Sequence, residues 1–140
     1  MRLLFWCVAL ALALGLGACR QGGDASPPAA GQPSRYLTIM DVPCDRVQAQ
    51  VRARIKAEAG LGPAQETRLA RGVGFALPLR QEGPRRWSAL VLVECFGPLT
   101  TRLSVRLNAE RQSGGAWQAM EAAEAAELEK TVLDKVTPQP

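Results

Sequence analysis

The 140-residue chain contains no histidine. That absence removes Ser-His and Cys-His nucleophile pairs, His-ligated metal sites and the imidazole proton shuttle. Lysine is scarce, with only Lys56, Lys130 and Lys135, and all three fall on apparent solvated helix faces rather than beside a serine nucleophile. Four cysteines are present and none forms a Cys-x-x-Cys pair. There is no phosphate-binding glycine loop, because Gly72-Val73-Gly74 lacks the third glycine and continues as a strand. Glu121, Glu124, Glu127 and Glu129 form the only carboxylate cluster, and on an alanine-rich helix they read as a solvated surface. The expectation is therefore a non-enzymatic protein without metal or cofactor. The N-terminal apolar run, residues 3–16, is fourteen residues broken only by Gly15, short of the roughly 18–20 that cross a bilayer as a helix.

That run follows Met1 and Arg2, and a short positive start before such a core is the layout of a secretory signal peptide. Directly behind it, Leu16-Gly17-Ala18-Cys19 resembles the lipobox of bacterial lipoproteins. The resemblance implies cleavage before Cys19, a diacylglycerol on its thiol, and a fatty acyl group such as palmitate on the new amine. Two or three acyl chains hold a protein durably on a membrane, where one alone binds marginally. In the family's sorting pattern an aspartate after the cysteine favours the inner membrane. Arg20 stands there instead, which implies the periplasmic face of the outer membrane.

Residues 1–18 are thus expected to be the signal peptide, and residues 19–35 the lipidated cysteine with a tether. The stretch RQGGDASPPAAGQPSR lacks apolar periodicity and reads as disordered, with a reach of about 20–24 Å. With 47% hydrophobic and 21% charged residues the chain has the balance of one globular domain, placed at residues 36–136, with 137–140 as a tail.

Within the domain, residues 36–42 (YLTIMDV) are β-branched and apolar enough for a strand. Pro43 and Cys44 open a helix, and Cys44, Val47, Val51 and Ile55 share one helical face. Three strands follow: alternating Val73, Phe75, Leu77 and Leu79; the doubly apolar 87–96 (WSALVLVECF); and 99–109, with Leu103, Val105 and Leu107 inward. Ser113-Gly114-Gly115 breaks the pattern, and alanine, glutamate and leucine from about residue 118 to 136 predict a second helix. The predicted fold is α+β: a four-stranded antiparallel sheet with two packed helices in the order β-α-β-β-β-α. By element order it resembles small helix-grip-type envelope lipoprotein domains.

Cys7 leaves with the signal core and Cys19 takes the lipid, so Cys44 and Cys95 remain. An oxidising periplasm permits their pairing, and parity places Cys95 with Val91 and Val93 on the side facing the first helix. The alternative is two separate buried thiols.

Charge is unevenly placed, with fourteen basic against eight acidic residues over 20–111 and two against five over 112–140. Fourteen of the seventeen basic residues are arginine. If Val91 and Val93 face the helices, alternation sends Leu90, Leu92 and Phe96 to the other face beside Arg102 and Arg106. An apolar centre with a cationic rim marks an interaction surface. Cover by the C-terminal helix, whose stripe is Leu128, Val132 and Val136, would instead make Leu90 and Leu92 core. The expected partners are the membrane, through the N-terminal lipid, and an envelope protein. An anionic glycan or lipid headgroup is the alternative, and nucleic acid is not expected.

Overall fold

The computed structural model describes residues 34–139. The signal segment, Cys19 and the tether as far as residue 33 lie outside the described residues. The elements are β1 (Leu37–Met40), α1 (Cys44–Ala57), β2 (Gln65–Leu69), β3 (Gly72–Glu82), β4 (Arg85–Cys95), β5 (Thr101–Ser113), β6 (Ala116–Ala119) and α2 (Ala125–Val136). The α+β class holds, with every strand pair antiparallel, but the sheet has six strands rather than four. Its order is β1-β5-β4-β3-β2, and β6 also pairs with β5.

Both unexpected strands have a physical reason. The β2 segment, QETRL, is exposed except at Leu69 and carries no apolar alternation, because it is an edge strand held only by β3. The β6 segment AWQA overlaps the start that composition predicts for the C-terminal helix, which begins only at Ala125. Gly114 and Gly115 both adopt positive φ, 59° and 83°, as a tight hairpin turn requires at its two central residues. That turn folds residues 116–119 back onto β5, and pairing overrides the helical preference of alanine.

Helix α1 starts behind Pro43 with Asp45 in its first turn and ends with Arg54 and Lys56 in its last, charges that suit the helix dipole at each end. Its stripe of Val47, Val51 and Ile55 packs into one core with Val73, Phe75 and Leu77 of β3, Val91 and Val93 of β4, and Leu103 and Val105 of β5. Helix α2 contributes Val132, Leu133 and Val136 to that same core. Both helices therefore lie on the Val91 side of the sheet.

A disulfide joins Cys44, the first residue of α1, to Cys95, the last of β4, with Cα atoms 5.5 Å apart. The Gln48 side-chain amide lies 3.5 and 3.8 Å from the two sulfurs. Close by, the hydroxyl of fully buried Thr101 donates to the Val42 carbonyl at 2.7 Å, fixing the loop between β1 and α1.

Two predictions follow from these constraints. Gly72 opens β3 at φ 142°, and a methyl group on it would lie 1.9 Å from the Val93 carbonyl oxygen. Gly72→Ala is expected to cost about 2–4 kcal/mol by backbone strain and overpacking, against about 1 kcal/mol for Gly115→Ala, where space is open. Urea unfolding of the two variants decides this, and equal costs would remove the backbone-contact argument. The disulfide closes a loop between residues 51 apart. Its replacement by Cys44→Ser with Cys95→Ser is expected to lower stability by about 2–4 kcal/mol. Identical unfolding midpoints for the oxidised protein and the double variant would exclude a stabilising bridge.

Candidate functional site

Strand alternation makes the sheet two-sided, and among the described residues no helix covers the second side. The core holds odd-numbered β4 and β5 residues, so even-numbered ones project away from the helices. Helix α2 packs with α1, so the C-terminal helix does not cover Leu90 and Leu92.

The rows across this face follow from the pairing register. One row runs Gly72, Glu94, Arg102, Ile39; the next runs Gly74, Leu92, Ser104, Leu37; a third runs Ala76, Leu90, Arg106. Small residues on β3 leave space that the β4 leucines fill. A methyl on Gly74 would meet Leu90 Cδ1 at 3.4 Å, Leu92 Cδ2 at 3.6 Å and Leu69 Cδ1 at 3.8 Å. Leu92 is accordingly only 7% exposed with no helix above it, and Leu90 is half-buried. The centre of the face is a leucine cluster seated on glycine, not an open apolar plane.

The arginines differ from a simple cationic rim. Arg102 donates from Nε and Nη2 to Glu94 Oε2 at 2.9 and 2.8 Å, and its guanidinium lies 4.7 Å from the Phe96 ring centroid. Arg86 donates to Glu110 at 2.6 Å and stacks 4.2 Å from the Trp117 ring centroid. Both charges are thus met by carboxylates. Arg106 makes no ion pair among the described residues, and its Nε is buried without a hydrogen-bond partner, as is Arg86 Nη2. Arg80 leaves the face altogether. A bulge between Pro78 and Arg80 shifts the register so that Arg80 pairs with Trp87, stacks 4.3 Å from its ring centroid and reaches Glu124 at 3.2 Å.

The five candidate residues therefore lie on one side but divide into two places. Leu90, Leu92 and Arg106 occupy the middle, while Phe96 and Arg102 sit at the corner where β1 meets β5. Sequence reasoning missed Leu37 and Ile39, which are 49% and 65% exposed on this side, and Trp117 on β6. The alternation of Leu37 and Ile39 with Thr38 and Met40 carries a signal, but both sets contain apolar residues.

An open cleft of about 590 Å³ lies at the C-terminal end of α1, lined by residues including Ile55, Leu61 and Phe75. Arg52 and Glu66 also line it and pair at 2.6 Å. Hydrogen bonding to that guanidinium holds the Glu66 carboxyl below the usual carboxylate range and raises Arg52 further. Those two charges satisfy each other, and Glu58, which also lines the cleft, pairs with Lys135 at 2.9 Å, so Lys56 is the one lining charge without an ion pair among the described residues. Among the described residues there is no group of three or more Cys, Asp or Glu placed to hold a metal, and no helix long and apolar enough to cross a membrane. Compared with known protein families, curated proteins and solved structures, the chain matches none.

Proposed function

We propose that the chain is a non-enzymatic lipoprotein, anchored through Cys19 to the periplasmic face of the outer membrane, whose uncovered sheet face binds an envelope protein. The observation that carries the binding role is that face itself: held by contacts within the sheet, without a helix over it among the described residues, and with half-buried Leu90 and Arg106 at its middle. The lipobox-like Leu16-Gly17-Ala18-Cys19 supports the anchor, and the Cys44–Cys95 bridge suits an oxidising compartment. A second reading, an anionic glycan or lipid headgroup as ligand, is favoured by the unpaired Arg106 Nε and Arg86 Nη2, since buried donors seek an acceptor.

The anchor predicts that Cys19→Ser yields an unlipidated product, read by mass spectrometry of the N-terminal peptide and by membrane fractionation. An acylated, membrane-bound variant would overturn it. The face predicts that crosslinking and pull-down of the full chain recover a protein in stoichiometric amount. Arg106→Glu is expected to reduce that recovery at least about ten-fold, as loss of a central interface arginine does, with the thermal midpoint nearly unchanged. Undiminished recovery with Arg106→Glu would move the contact elsewhere.

A further inference from the structure

The exposed large apolar side chains among the described residues are Tyr36, Leu37, Ile39, Phe96 and Leu99. All five belong to β1, the residue before it, or the turn joining β4 to β5. Pairing makes these segments neighbours: Ile39 is opposite Arg102, whose guanidinium lies on Phe96, and Met40 is opposite Thr101, two residues after Leu99. The exposed large apolar groups of the described residues thus lie along the short edge strand by which the chain enters the sheet, from Leu37 opposite Ser104 to the corner where Met40 faces Thr101 beside the β4–β5 turn. Cys19 precedes Tyr36 by seventeen positions, a separation that holds this corner near whatever Cys19 is attached to.

We infer that this corner inserts into the lipid surface as a second membrane contact, built from Tyr36, Leu37, Ile39, Phe96 and Leu99. The inference rests on the anchored reading above. Its shape favours lipid over a protein partner. Leu37 and Ile39 project to the uncovered side of β1, whereas Tyr36 falls by alternation with Thr38 on the helix side, and Leu99 stands at 58% exposure in the turn. A flat protein surface meets one side of a strand edge, while a fluid acyl layer surrounds a protruding corner. The local charge is only slightly positive: Arg35, Arg46 and Arg71 are exposed, Arg102 is neutralised by Glu94, and Asp41 and Asp45 lie at the same end. Attachment therefore comes mainly from apolar burial, with the separate aromatic rings of Tyr36 and Phe96 suited to the headgroup boundary, rather than from attraction to anionic lipid.

The test uses the full chain made in cells with its own N-terminus and a photoreactive benzoylphenylalanine in place of Ile39, Phe96 or Leu99. The same probe at Gln112, exposed at the far end of the sheet, is the reference. All four positions are exposed, and an intact Cys44–Cys95 bridge reports folding of each variant. Phospholipid adducts are expected at 39, 96 and 99 with a yield at least about five-fold above that at 112, as interfacial burial requires. Protein adducts without lipid adducts at the corner, absence of adducts there, or lipid yields equal to that at 112 would overturn the inference. The mass of the N-terminal peptide separates the two readings. A lipidated Cys19 without corner adducts removes only the second contact, whereas corner adducts on a chain without lipid at Cys19 remove only the anchor.

Discussion

Both helices bury their apolar stripes on the same side of one sheet, and the rest of the structure answers to that constraint. Val47, Val51 and Ile55 from α1 and Val132, Leu133 and Val136 from α2 share a core with the odd-numbered residues of β3, β4 and β5. Each large side chain so buried contributes about 1.5–3 kcal/mol before chain entropy is set against it. The opposite side must then order itself without a covering layer, and it does so within the sheet. Leu90 and Leu92 lean over Gly74, and the ion pairs Arg102–Glu94 and Arg86–Glu110 each join β4 to β5. The Arg86–Glu110 pair is the more buried, and a half-satisfied Arg86 is its cost. Contacts within the sheet thus hold these side chains, which is the preorganisation that the proposed binding role would need.

The central strands and α1 were legible because their burial is written in their periodicity. Cys44, Val47, Val51 and Ile55 repeat as a helix face, and Leu103 and Val105 alternate with Arg102, Ser104 and Arg106 as a strand does. The Cys44–Cys95 pairing was legible for the same reason, since both parities point to one side. Strands β2 and β6 were not, because an edge strand is fixed by backbone pairing and leaves little mark on side-chain pattern. The position of Arg80 depends on a bulge after Pro78, which moves it to the helix side beside Trp87 and which no side-chain alternation announces. Of the candidate face, the parity of Leu90, Leu92, Arg102 and Arg106 was readable. The partners that neutralise Arg102 and Arg86, and the burial of Leu92, arise only from register across three strands.

Glu129 shows how topology can reverse the meaning of a residue. On composition it belongs with Glu121, Glu124 and Glu127 to a solvated acidic surface, yet it is only 6% exposed. The cause lies in β5, which is thirteen residues long but carries two short strands on its outer edge. Strand β1 pairs with residues 101–104 and β6 with residues 110–113, leaving residues 105–109 between them paired to β4 alone, with no strand on their outer edge among the described residues. Backbone donors in such a gap, next to a packed helix, cannot be left to water at no cost. Glu129 Oε1 accepts the Leu107 N–H at 3.0 Å, and the Met120 N–H donates to the Ala109 carbonyl at 2.8 Å. A helix side chain thereby does the work of a missing strand and holds α2 to the sheet at that point. Its Oε1 supplies the acceptor that this sheet edge needs, while its Oε2 is buried without a hydrogen-bond partner. Splitting one edge between two short strands leaves a gap, and closing that gap dictates a buried acid on the helix above it.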